Sequence, residues 1–97
     1  MARKRYWKIE GYDSTNKTFE RVLPYSFLTK KYVIALMQRL SARHLDEDEI
    51  VSSSLRPKAP GYTQLLEPRA GRGGRHTISV GENPHYVASV WRDDELP

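Results

Sequence analysis

A chain of 97 residues without a single cysteine excludes a disulfide framework, a zinc ribbon and thiol catalysis. At this length one hydrophobic core is expected, and with 38% apolar residues and a formal net charge of +4 it favours a shallow surface site over a deep cleft. No apolar run approaches the roughly 18 residues of a membrane span, and none of about 7–15 follows the basic start as a secretory signal would require, so the expectation is a cytoplasmic protein with no membrane partner.

The chain opens with a basic tail at residues 1–4 that continues into Arg5 and Lys8. Over residues 5–12 polar and apolar positions alternate, with Trp7 and Ile9 on one side and Tyr6, Lys8, Glu10 and Tyr12 on the other, the pattern of a half-buried strand. Asp13-Ser14-Thr15-Asn16-Lys17 is turn chemistry. Thr18 to Leu23 supplies the returning strand, which ends at Pro24, so residues 5–23 are expected to form a β-hairpin.

The spacing predicts a helix over 30–44 with Thr29 as its N-cap. Val33, Leu36, Met37 and Leu40 fall in one arc, flanked by Tyr32 and His44. Arg39 and Arg43 suit the negative end of the helix dipole, whereas Lys30 and Lys31 stand at the wrong end. Asp46 followed by Glu49 matches a capping box, with Leu45 and Ile50 as its hydrophobic staple, and predicts a second, short helix over 47–55. Ile50-Val51-Ser52-Ser53-Ser54 also fits a strand, the competing assignment.

Residues 56–76 form a Pro/Gly/Arg-rich loop in which only Tyr62, Leu65 and Leu66 offer apolar anchors. Thr77–Val80 and His85–Trp91 alternate around Gly81-Glu82-Asn83-Pro84 and predict a second hairpin, followed by an acidic tail at 92–97. Residues 1–97 are therefore expected to be one small α+β domain. Its order is β-hairpin, helix, short helix, long loop and β-hairpin, giving an antiparallel sheet with helices on one face.

Charge is segregated along this chain. Lys30, Lys31, Arg39 and Arg43 are free of acids, and Arg56, Lys58, Arg69, Arg72 and Arg75 stand against Glu67 alone. The acids collect in Asp46–Glu49 and Asp93–Glu95, an arrangement that can steer charged partners. Arg3, Lys4, Arg5, Arg69, Arg72 and Arg75 are thus candidate phosphate contacts to RNA or DNA, the arginines being interleaved with glycine in the loop and set beside Tyr6 and Trp7 at the start. A helix-turn-helix reader is excluded, because Glu47-Asp48-Glu49 would open the recognition helix against phosphate.

No catalytic motif is present: there is no phosphate-binding glycine loop, dinucleotide fingerprint or nucleophile elbow. His76 and His85, the pair a small nuclease would need, are placed about 16 Å apart by the expected hairpin, beyond the reach of one phosphate. The acidic clusters lack the ligand spacing of a calcium loop, so neither a metal nor another cofactor is expected. Tyr6 and Tyr12, on the face opposite Trp7 and Ile9, are candidate protein-interface residues, and both hairpins carry edge strands open to pairing. The expectation is a non-enzymatic interaction module that binds a protein partner or a second copy of itself. Nucleic-acid binding is the alternative, and a nuclease a distant third.

Overall fold

Alternation over residues 5–24 produces two paired strands, β1 (Arg5–Asp13) and β2 (Asn16–Pro24), in a computed structural model that describes residues 4–71, 77–81 and 84–96. The turn between them is tight, with Asp13 opposite Asn16 and Ser14 in the left-handed region at φ 58°. Lys17, expected in the turn, belongs to β2. The register slips at Gly11/Tyr12, so that Tyr12 pairs with Lys17 and Thr18 is the extra residue of a β-bulge. Strict alternation from Phe19 would send Lys17 to the core side, and the bulge turns it to the opposite face.

A single 3-10 turn, Tyr25–Phe27, leads into α1 (Lys30–Ala42), whose first turn is capped by Thr29 accepting from the Tyr32 amide. Val33, Met37 and Ser41 form its buried stripe, and α1 lies on the sheet through this stripe. Tyr32, expected to flank the stripe, is instead 62% exposed. Ser41, one turn beyond Met37, extends the buried stripe on its other flank. Asp46 and Glu49 close a reciprocal capping box at 2.8 and 3.0 Å, and α2 (Glu47–Ser54) follows. Helix prevails over strand here because the capping box and the three acids of the first turn anchor it, and the serine hydroxyls find acceptors inside it. Ser52 donates to the Glu49 carbonyl, and Ser53 and Ser54 donate to that of Ile50.

The segment after α2 turns back on itself, held to the helix by the Ser52 and Thr63 hydroxyls at 2.8 Å and to α1 by Gln38 donating to the Leu66 carbonyl. It then supplies a strand that the sequence does not announce, β3 (Arg69–Ala70), which pairs with β4 (Thr77–Gly81). Two residues are too few to show alternation; their pairing is imposed by β4, with the Gly71 amide donating to the Thr77 carbonyl. The last strand, β5 (His85–Arg92), pairs with β4 on one side and β1 on the other.

The result is a five-stranded antiparallel sheet in the order β2-β1-β5-β4-β3. Trp7 and Ile9 of β1, Tyr86 and Ala88 of β5, and Ile78 and Val80 of β4 point to the helix side and are buried with Val33 and Met37. Fully burying a side chain such as Ile9 or Met37 is worth about 1.5–3 kcal/mol, so this one layer dominates the fold's stability. Trp7 is fixed further, stacking on Tyr25 at 5.2 Å and donating its indole N–H to the Leu28 carbonyl at 2.9 Å. No described helix is long and apolar enough to cross a membrane.

Candidate protein-interaction face

With α1 on the inner side, the other face of the sheet has no described helix against it. Alternation brings Tyr6, Lys8, Glu10 and Tyr12 of β1 to this face, beside His85, Val87, Ser89 and Trp91 of β5. Tyr6 and Tyr12, singled out from the sequence, are both half-buried there at opposite ends of β1. Tyr6 stands directly across from Trp91, and Tyr12 across from His85, on which it stacks at 5.4 Å.

One polar chain joins these two aromatic pairs. The Tyr12 hydroxyl donates to the Glu10 carboxylate at 2.8 Å, and Lys17 Nζ bridges Glu10 and Glu20 at 2.8 and 3.0 Å. Lys8 Nζ lies 3.6 Å from Glu20 and 4.7 Å from the centre of the Trp91 ring. The Trp91 indole N–H in turn donates to the Ser89 hydroxyl at 2.6 Å. Glu10 and Glu20 are direct partners across β1 and β2, a repulsive juxtaposition that the Lys17 ammonium neutralises. Burial pushes the Glu10 carboxyl up, but hydrogen bonds from Lys17 and Tyr12 and the nearby Lys8 charge outweigh it and hold the group below the usual carboxylate value. The Tyr12 hydroxyl is held above its usual range, chiefly by donating to Glu10.

Trp91 and Lys17 belong to this face and were not selected from the sequence. Residues 86–91 are apolar in both phases apart from Ser89, so alternation alone does not say which side of β5 faces the helix. Lys17 is hidden by the bulge.

Among the described residues, the candidate phosphate contacts Arg5 and Arg69 do not share one surface. Arg3, Arg72 and Arg75 lie outside the described residues. Arg5 begins β1, whereas Arg69 sits on β3 in the row of Glu10. Three strand spacings across and five residues along separate the two by about 22 Å. At the start of β1 the acidic tail comes alongside: the Asp93 amide donates to the Lys4 carbonyl, and Arg92 lies 3.7 Å from Asp94 and 3.6 Å from Glu95. Charges far apart in sequence therefore meet in space. Beside them Lys4, Arg5, Tyr6 and Tyr25 line an open recess of about 430 Å³, with the Arg5 guanidinium 4.3 Å from the centre of the Tyr25 ring.

His85 lies on the outer face and His44 on the inner side, where its Nε2 is 2.9 Å from the Tyr86 hydroxyl. The sheet stands between them, so they cannot share a proton-transfer site. His76 lies outside the described residues. Among the described residues no three His, Asp or Glu side chains are grouped to hold a metal ion. Compared with models of protein families, with curated proteins and with solved structures, the chain matches none.

Proposed function

We propose that the protein is an interaction module that receives a protein partner, or a second copy of itself, on the helix-free face of its sheet. The observation that carries this reading is the pair of aromatic couples, Tyr6 with Trp91 and Tyr12 with His85, at the two ends of β1 and β5. Aromatic side chains dominate the energetics of protein interfaces because they offer large contact area for few rotatable bonds. Tyr12 and Trp91 are already held by hydrogen bonds to Glu10 and Ser89, so little rotamer freedom is left to lose on binding.

The test compares affinity capture and sedimentation for the native chain, for Tyr12→Ser and Trp91→Ser on the face, and for Phe27→Ser, an exposed aromatic of the 3-10 turn. A partner or dimer lost in the two face variants and kept in Phe27→Ser supports the face. Equal retention in all three, or a strict monomer that captures nothing, rules it out.

A second reading is binding of RNA or DNA at the start of β1. The recess lined by Lys4, Arg5, Tyr6 and Tyr25 favours it, combining two cations with the Tyr6 ring, on which a base can stack. Fluorescence anisotropy with single-stranded RNA at several salt concentrations tests it. Affinity that falls steeply with salt, and less steeply in Lys4→Ala, supports this reading. Absence of binding at low salt refutes it.

A further inference from the structure

The helix-free face, on whose role as the interaction surface this inference rests, carries a pattern that names its occupant. Along β1 the outward residues run Tyr6, Lys8, Glu10, Tyr12, that is ring, cation, anion, ring. Read in reverse, the row is its own charge complement. The neighbouring strands keep the pattern: Glu20 stands beside Glu10, and Trp91 and His85 stand beside the two tyrosines.

We propose that the protein pairs with a second copy of itself through this face, sheet on sheet with the strands reversed. The two-fold axis crosses β1 between Lys8 and Glu10 and lies in the plane between the two sheets. Lys8 of each copy then comes over Glu10 of the other, with Glu20 alongside. Tyr6 and Trp91 come over the other copy's Tyr12 and His85, so that four rings gather at each end. Moving the axis to Lys8 or to Glu10 sets like charge on like. An axis running along the strands does the same, because it lays each row over its own copy.

The surroundings suit this pairing. Lys8 and Glu10 are only 12% and 15% exposed, drawn down onto the face by Trp91, Lys17 and Tyr12. Facing sheets pack about 10 Å apart, and charges already partly shielded from water act across that gap more strongly than in open solvent. Lys17 comes over the other copy's Pro24, beside Tyr6. Arg69, at the β3 edge, stays about 12 Å from its copy across the axis, beyond the screening length of about 8 Å at physiological salt. Eight paired positions along β1 and β5 and four strand spacings give a patch of about 26 by 19 Å, or about 500 Å² per copy. An interface of that size belongs to a weak, reversible dimer.

The experiment is sedimentation equilibrium of the full chain at up to millimolar concentration. The native chain is expected to dimerise. Lys8→Glu and Glu10→Lys should each weaken self-association about tenfold or more, and an equimolar mixture of the two should recover it. In that mixture two acids of one copy meet two cations of the other, a rescue that damage to either fold could not produce. Register is read with the face left intact. The chain has no cysteine, so a nitroxide carried on Thr15→Cys, at the exposed tip of the first hairpin, is unique. Mixed with isotope-labelled native chain, it should broaden amide signals around Tyr6 and Trp91 of the other copy and spare those around Tyr12 and His85. Dimers that persist equally in both single variants, a folded mixture that stays monomeric, or broadening around Tyr12 and His85 overturns the proposal. A native chain that stays monomeric also overturns it. If Tyr12→Ser and Trp91→Ser then still release a captured partner, the interaction face stands with a different occupant; if they do not, both readings fall.

Discussion

The ring of Tyr86 rests on the α-carbon of Gly11, its direct partner across β5 and β1. A Cβ at Gly11 would lie 2.6 Å from Tyr86 Cε1 and 3.1 Å from the Phe19 Cβ, so this glycine is required for close approach. Gly11→Ala should destabilise the fold by about 1–3 kcal/mol through overpacking. Urea unfolding checks this. If Tyr86→Ala is introduced first, the same Gly11→Ala change should cost far less, a coupling that a double-mutant cycle reads directly.

The Tyr86 hydroxyl links β5 to the residues that end α1, accepting from Arg43 and sharing a hydrogen bond with His44 Nε2. Tyr86→Phe keeps the ring and its edge-on contact with Phe19. It should cost about 1–2 kcal/mol rather than more, because Arg43 and His44 are exposed enough to turn to water. Hydrogen exchange should quicken at the last turn of α1 while the amides of β1 keep their protection.

Stability should fall away on both sides of neutral pH, with the Lys17 cluster as one cause. Glu10 and Glu20 are held below the ordinary value of 4.5 in the folded chain; for Glu20 the main cause is the hydrogen bond from Lys17. A depressed carboxyl contributes stability that is fully present above its unfolded value and is lost as pH falls through the folded one. Lys17 and Tyr12 are raised, each chiefly by a hydrogen bond with Glu10, so their contribution is full below their ordinary values of 10.5 and 10.0 and is lost as pH rises through the folded ones. Lys17→Met should therefore flatten the pH dependence of the unfolding midpoint on both limbs. An unchanged profile would show that the cluster contributes nothing.

The two tryptophans report on opposite sides of the sheet. Trp7 is 2% exposed beneath Tyr25, whereas Trp91 stands half-buried on the helix-free face. Acrylamide should quench the fluorescence of Trp7→Phe, which retains Trp91, more strongly than that of Trp91→Phe. Partner binding at the face should suppress quenching in Trp7→Phe and leave it unchanged in Trp91→Phe.

Much of this architecture is legible in the residues. Alternation at Trp7 and Ile9, the Thr29 cap and the Asp46–Glu49 box each fix an element by local chemistry, and all three stand where the sequence places them. What escapes is whatever the rest of the fold imposes. Arg69–Ala70 becomes a strand only because β4 offers an edge. Lys17 reaches the outer face only through a one-residue bulge. Ser41 looks like an ordinary polar residue near a helix end until the sheet buries it. Of the candidate face, Tyr6 and Tyr12 could be found from their phase relative to Trp7. Trp91 could not, because β5 is apolar in both phases.

The pairing of β1 with β5 sets the tempo at which this sheet can form. Lys8 and Ser89 are opposite one another, yet 81 positions apart along the chain. The first hairpin can zip up quickly by itself, but the second edge of β1 then waits unpaired until His85–Arg92 arrives between β1 and β4. Closing so long a loop makes the middle of the sheet a late, rate-limiting event. A chain cut anywhere before His85 would keep an unpaired, aromatic strand edge at its centre, a fragment poised to aggregate rather than a smaller version of the fold.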